Sequence, residues 1–318
     1  MRYWKSLEIS AYAQLIERLE SEGGLPSSGT VVQLKHREGT KGQHRVSYMG
    51  QRVTFYIARE DPDMKGRLRR RSELCSTLVV NGCNQVDHAS ASTLELLDAS
   101  GCFYNQNAVL VGSHAFGVIG NMLGVTWESD MVATEDIDLG RFIRLAGTKP
   151  IDLGDKLKQA GFRVVPGFGH KDPPTSFMHD SSGMKVDFLT PLIGKPTPEP
   201  AKLTGMDVYA EKLRFFDYLI TNTVRGAVIT RNGILVQVPQ PARYAFHKCL
   251  IAPRRDVSHE AKRKKDISQA EALFGVLIER RISELQEAWD NLEWKDKAKE
   301  GLSMMRNEVK EELFSIID

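Results

Sequence analysis

Three aspartates and one Gly-Ser pair are the residues of this chain best suited to chemistry. In TEDIDLGR, residues 134–141, Asp136 and Asp138 flank a single isoleucine. Ile137 and Leu139, with Phe142 and Ile143 beyond, spell a short apolar strand. Alternate side chains of a strand share a face, so the two carboxylates point the same way, roughly 6.6 Å apart along the chain at about 3.3 Å per residue. Like charges so placed repel unless a cation lies between them. A third carboxylate, Asp187, sits in another apolar strand, GMKVDFLTP. Three carboxylates on adjacent strands make an all-oxygen site suited to Mg²⁺, which takes carboxylates, waters and substrate phosphates. Gly112 and Ser113 end the apolar run AVLVG and open the segment SHAFGVIGNMLG. A glycine there lets a phosphate come close to the backbone, and the helix start at Ser113 offers free N–H groups at the positive end of a dipole. Taken singly each feature has a plainer reading. Gly-Ser pairs are common, Asp-x-Asp arises by chance, and a lone buried Asp more often caps a helix or pairs with an arginine. The combination carries the argument.

These residues need elements to hold them in place. Residues 108–112 read as a buried strand, and Phe116, Ile119 and Leu123 recur at helical spacing after it. A loop, VTWESDMVA, leads to the Asp-Ile-Asp strand. DKLKQAGF then reads as a short helix stopped by Gly161, and FRVVP as a strand. KPTPEP is a linker by composition. GAVITRNGILVQVP carries Asn232-Gly233 between two β-branched runs, a hairpin signal. PARYAFHKCLIAPRR opens with proline, which suits a first helical turn, and amphipathic helices run from about Ser258 to the end. Ahead of all this, a helix over residues 6–22 is followed by VVQLKHREGTKGQHRVSYMG, read as two strands across a glycine-containing turn. A helix starting near Asp61 and a second one, SASTLELLDASG, complete the N-terminal third. The fold class is α+β, in three parts: a helix and hairpin module over 1–104, a core over 105–200, and a hairpin plus helical domain over 201–318.

The bulk numbers set limits. The chain has 318 residues, 41% hydrophobic and 26% charged, with a net charge of +2. Any affinity for a polyanion must therefore come from local patches. No apolar run is as long as a membrane span, and MRYWKSLEIS lacks the apolar core of a secretory signal. Cys75, Cys83, Cys102 and Cys249 have no Cys-x-x-Cys spacing, which disfavours a zinc site and fits buried thiols in a cytoplasmic protein.

GSHAF, TEDID and KVDFL together resemble the signature of the DNA polymerase β-type nucleotidyltransferase superfamily. Within it, VLVGSHAFGVIGNMLGV, TEDID and PARYAFHKCL with the later KRKKDISQA are similar to a subgroup of poorly characterised bacterial nucleotidyltransferase-fold proteins. A fainter likeness reaches the abortive-infection nucleotidyltransferase toxins of toxin–antitoxin pairs. The strong part covers roughly residues 105–190, and a looser C-terminal match covers roughly 234–290. Two departures bear on substrate contacts: the gap from Gly112 to Asp136 is longer by about a loop, and Gly117 stands near the place of an arginine that the toxins carry.

The resemblance implies a mixed-sheet core and a two-metal mechanism. Asp136 and Asp138 would bind two Mg²⁺ ions, with Mn²⁺ as the substitute, and Asp187 would bind one of them and activate the acceptor hydroxyl. Gly112 and Ser113 would hold the β- and γ-phosphates of ATP or another nucleoside triphosphate. The product would be a nucleotidylated RNA (tRNA being the obvious candidate), protein or small molecule, plus pyrophosphate. Two other readings stand beside this one: a regulatory partner that keeps the fold without catalysis, such as an antitoxin or defence-system subunit, and a Mg²⁺-dependent hydrolase.

Basic residues remain. Lys248 sits among apolar neighbours and is the preferred triphosphate ligand, with Arg254 and Arg255 next in line. Lys262, Arg263, Lys264 and Lys265 form a run that is either a solvated helix face or a clamp on an anionic acceptor. His114 and His247 read as packed, structural histidines. Lys65, Arg67, Arg69, Arg70 and Arg71 form a separate basic turn that could track a nucleic-acid backbone.

Overall fold

A computed structural model describes residues 1–23, 27, 30–36, 39–48, 51–57, 63–143, 150–167, 172–197 and 199–317. Asp61, where the sequence reading starts a helix, and residues 37–38, within the stretch read as two strands, lie outside these. The N-terminal third runs β1 (Arg2–Tyr3), α1 (Ser6–Ser21), β2 (Thr30–His36), β3 (Gly39–Tyr48), β4 (Gln51–Ile57), α2 (Met64–Val80) and α3 (His88–Ala99). The two expected strands are therefore the first two of a three-stranded antiparallel sheet, β2-β3-β4. Beyond them come β5 (Val109–Val111), α4 (Gly112–Leu123), β6 (Val125–Thr126), α5 (Ser129–Val132), β7 (Asp136–Gly140), α6 (Leu153–Gln159), β8 (Phe162–Val165), β9 (Ser176–His179) and β10 (Lys185–Pro191). The segment read as a loop before Asp136 thus contains a two-residue strand and one helical turn.

The remainder is β11 (Ala201–Leu203), β12 (Val208–Leu213), α7 (Phe216–Thr221), β13 (Thr223–Val228), β14 (Ile234–Pro239), α8 (Pro241–Ile251), α9 (Glu260–Arg280), α10 (Ile282–Asp290), α11 (Lys295–Leu302) and α12 (Asn307–Ile317). The main sheet has the order β11-β12-β10-β7-β5-β14-β13, with β8 and β9 attached to β10. β7 and β10 run parallel with Asp138 opposite Asp187, while β5 runs antiparallel to β7 with Val111 opposite Asp138. The strands after the Pro-rich stretch join this same sheet: β12 pairs with β10 and β14 with β5. Residues on both sides of position 200 therefore build one layer.

The β13–β14 hairpin exists, but not with the two-residue turn that Asn-Gly favours. Val228 pairs with Ile234, leaving a five-residue loop in which Gly233 has φ +68°. Arg71 explains why this loop is stable. It is buried, and its guanidinium donates to the carbonyls of Asn232 and Gly233 at 2.8 Å each. That removes Arg71 from the basic surface turn, and Arg69 and Arg70 are paired with Glu73 and Asp63.

α8 is the element that faces the acidic strands. Proline at its first position and the Gln240 side chain, which accepts from the Arg243 amide, start it. Phe246 anchors it, tilted against Phe274 of α9 at 5.0 Å and Trp289 of α10 at 5.3 Å between ring centroids. Truncating such a buried phenylalanine costs about 3–5 kcal/mol. With that face fixed in the core, Tyr244 and Lys248, one turn apart, both line the cleft over the sheet. All four cysteines are buried and unpaired. Among the described residues no helix is long and apolar enough to cross a membrane.

Candidate active site

The site begins at the β5–α4 junction. Gly112 has φ +67°, a region that L side chains rarely adopt, and a Cβ added there would lie 2.2 Å from Asp138 Oδ2. Glycine is therefore required twice, by the backbone turn and by the carboxylate pressed against it. Tyr244 of α8 donates to the Gly112 carbonyl at 2.9 Å, locking the turn from above. Ser113 follows at the start of the 12-residue α4.

Asp136 and Asp138 stand on one face of β7, with Ile137 buried on the other. The β7–β10 register sets Asp187 beside Asp138 and Lys185 beside Asp136. Burial, then the charges of Asp187 and Asp136, push the Asp138 carboxyl up to about 6. This is the expected response of a carboxylate crowded by two others with too little positive charge nearby. Asp187 is already engaged: Lys185 binds it at 2.8 Å, and the Ser176 hydroxyl on β9 donates to it. Among the described residues no three or more carboxylate, imidazole or thiol side chains converge as a ready-made metal cage. The donor set is nevertheless all hard oxygen, short of positive charge, and backed by a cradle that a single Cβ would fill.

The same cleft, about 690 Å³, brings Gly112, Ser113, Asp136, Asp138 and Asp187 together with Lys248, Arg254 and Arg255. Lys248 is buried and raised in pKa, because Tyr244 and Asp266 outweigh its desolvation. Its ammonium sits 2.6 Å from Asp266 Oδ1 and 5.1 Å from the Tyr244 ring centroid. Arg255 binds the other oxygen of the same carboxylate. Arg254 is turned toward Glu300 at 2.9 Å and the Leu250 carbonyl at 2.8 Å. Asp266 is thus the organiser of the basic wall. The sequence reading gave Asp266 no role of its own and left the basic run before it as either a solvated helix face or a clamp on an anionic acceptor.

Within that run the lysines differ. Lys264 is largely exposed and pairs with Glu260 at 3.0 Å. Lys265 lines the cleft and donates to the Ala133 carbonyl at 2.6 Å, while Gln269 one turn on donates to Met131 at 2.6 Å. α9 therefore holds the segment that leads into the Asp-Ile-Asp strand. His114 and His247 are buried, and burial pushes them down to about 4 and about 3, so both are neutral and packed, as expected. Lys185, Tyr244, Asp266 and Gln269 lay inside KVDFL, PARYAFHKCL and KRKKDISQA but were given no role there, and Glu211, which also lines the cleft, lay outside every motif.

A second cavity of about 530 Å³ shares Ser113 and Thr134 with the first, but Asp87 and Glu135 line it with no lysine or arginine. The two differ in sign, and only the first suits a triphosphate.

A family model described as nucleotidyltransferase matches residues 88–295, more than half of the chain. No curated protein and no solved structure matches it.

Proposed function

Since this chain belongs to the nucleotidyltransferase family, and is a transferase enzyme that catalyses nucleotidyl transfer, we propose that the cleft under α8 is its active site and that an RNA hydroxyl is the acceptor. The observation that carries the reading is the Asp138–Asp187 pairing on parallel strands directly beside the Gly112–Ser113 turn. An acidic pair next to an anion cradle makes sense only if something positive joins them.

Asp136, Asp138 and Asp187 would hold Mg²⁺, for which Mn²⁺ could substitute. The ion, when bound, supplies positive charge opposite phosphate oxygens. Everything else falls to this chain's own groups. Backbone N–H groups at the start of α4, with the Ser113 hydroxyl, bind the β- and γ-phosphates at the positive end of a helix dipole. Lys248 and Arg255 face the same space and exchange part of their pairing with Asp266 for phosphate oxygens, while Arg254 contributes charge from the rim. The acceptor hydroxyl releases its proton to water as its oxygen bonds to the α-phosphorus, the bond from that phosphorus to the α–β bridging oxygen breaks, and pyrophosphate leaves with the electron pair. Positioning and charge stabilisation account for the rate, as in phosphoryl transfer generally.

RNA is favoured as acceptor by the basic lining, in which Arg214, Lys262 and Lys265 join Lys248 and Arg255. In this reading residues 105–200 carry the acidic and phosphate-binding halves, residues 201–318 add the basic wall, and residues 1–104 brace the hairpin loop through Arg71. Incubation with each α-³²P-labelled nucleoside triphosphate, Mg²⁺ and either total RNA or total protein tests it. Label in RNA that is lost with Asp138→Asn supports the reading, and no label in either fraction sinks it.

A further inference from the structure

The cleft has a direction. Across the sheet the order is β5, β7, β10, β12. The Gly112–Ser113 turn follows β5 at one end, Asp136 and Asp138 lie on β7, and Asp187 on β10. Glu211 on β12 comes last. It pairs in parallel register with Leu189, two residues beyond Asp187, so its side chain lies on the same face as Asp187. Glu211 is exposed to solvent, lines the cleft, and among the described residues nothing hydrogen-bonds its carboxylate. The residue as a whole is exposed, but the cleft partly covers its carboxyl, and that desolvation first and the charge of Asp187 second raise its pKa.

An in-line displacement puts the attacking and leaving oxygens on opposite sides of phosphorus. With pyrophosphate leaving toward Gly112 and Ser113, the acceptor must arrive over β10 and β12. We propose that Glu211 is the acceptor-side contact, its carboxylate accepting hydrogen bonds from the two hydroxyls of the terminal ribose of an RNA. This inference rests on the nucleotidyl-transfer reading and deepens it by naming the part of the acceptor that is recognised.

The chemistry selects that part. A carboxylate repels a phosphodiester backbone, whereas Lys248, Arg255, Lys262 and Lys265 line the cleft from α8, α9 and the segment between them. The free 3′ end of an RNA brings no negative charge and presents two hydroxyl donors on adjacent carbons. An acidic side chain on a ribose hydroxyl is a proven pairing in dinucleotide sites, and the 2′-hydroxyl is what separates RNA from DNA. One hydroxyl of the pair attacks: its oxygen bonds to the α-phosphorus, the α–β bridging bond breaks with its electron pair going to pyrophosphate, and the hydroxyl proton is released to water. The other hydroxyl stays on Glu211 and holds the ribose in place.

The test uses the full chain, Mg²⁺, the α-³²P-labelled nucleotide that labels best, and unfractionated tRNA ending either in ribose or in 2′-deoxyribose. Wild type should label the ribose end at least tenfold better. Glu211→Gln should raise the KM for ribose-ended tRNA about tenfold and lose the discrimination. Its affinity for a non-hydrolysable α,β-methylene triphosphate, by calorimetry, should be unchanged. If Glu211→Gln transfers and discriminates as wild type does, the proposal is wrong and the active-site reading stands. The proposal is equally overturned if nucleotide affinity falls as far as transfer does, because Glu211 would then lie on the nucleotide side. If wild type labels neither RNA, the reading of an RNA acceptor falls and Glu211 with it.

Discussion

A Cβ on Gly112 would sit 2.2 Å from Asp138 Oδ2, so the phosphate-cradle candidate and the central carboxylate are in contact before any ligand arrives. Gly112→Ala must either move Asp138 or unwind the turn, and it also forces alanine into φ +67°. We expect it to cost about 1–3 kcal/mol of stability and to lower transfer at least a hundredfold. Denaturant unfolding and labelling kinetics check the two effects separately. Near-normal transfer would mean that the turn is not part of the site.

Asp138 offers a prediction with a definite sign. Burial and the neighbouring carboxylates raise its folded-state pKa to about 6 from the ordinary 3.8. A raised acid favours the folded state only while protonated, so this contribution is present below about pH 4 and is lost as pH rises through 6. Asp138→Asn should therefore melt above wild type at pH 7–8 in EDTA, by about 2–4 °C, which corresponds to on the order of 1 kcal/mol. The gap should close by pH 4, and Mg²⁺ should narrow it at pH 7 by stabilising wild type alone. A lower melting point for the variant at pH 7 would make the carboxylate a structural partner.

Lys248 and Asp266 are 2.6 Å apart and both buried. Asp266→Asn strands Lys248 and Arg255 together and should cost about 3–5 kcal/mol, the usual cost of an uncompensated buried charge. Lys248→Met should cost clearly less, because Arg255 still neutralises Asp266. Urea unfolding of both single variants and the double variant measures the coupling. Equal costs for the two singles would show that Arg255 does not share the carboxylate in solution.

The two lysines at the end of the basic run separate on the same logic. Lys264→Ala should change stability by no more than about 0.5 kcal/mol, as for most exposed pairs. Lys265→Ala removes the 2.6 Å bond to Ala133 and should raise amide exchange in residues 131–136. Hydrogen-exchange mass spectrometry reads this directly, and identical exchange in the two variants would contradict the bracing role of α9.

The buried histidines bear on stability in acid. Burial drives His114 down to about 4, below the ordinary 6.5. A histidine whose folded pKa is depressed stabilises the protein above about pH 6.5, and that stability is lost as pH falls toward 4. His114→Asn should flatten the decline of stability between pH 6.5 and 4.5, by at most about 1.4 kcal/mol per pH unit. Parallel curves for variant and wild type would show that His114 is solvated.

Much of the candidate site was legible because it is local. Asp136 and Asp138 share a face through the two-residue period of a strand, and Gly112-Ser113 stands between an apolar run and a stretch with helical spacing. The family match covers residues 88–295, the span in which those short motifs lie. Helical spacing likewise placed α1 and α4, and an opening proline placed α8. The hairpin at Asn232-Gly233 was legible too, but its loop length was not: two guanidinium hydrogen bonds from Arg71, 161 residues away in sequence, hold a five-residue loop.

Sequence by itself determined which residues could do chemistry, since residue type and short-range period are written in the chain. Tertiary structure decided what each one meets. Only strand order puts Asp187 beside Asp138 and Glu211 at the far end of the cleft. Only the packing of α8 on α9 turns Asp266 from one charge in KRKKD into the shared partner of Lys248 and Arg255. The physical reason is range. Backbone periodicity acts over a few residues, whereas a carboxylate's pKa and pairing depend on every charge within several ångströms, and the fold alone sets those distances.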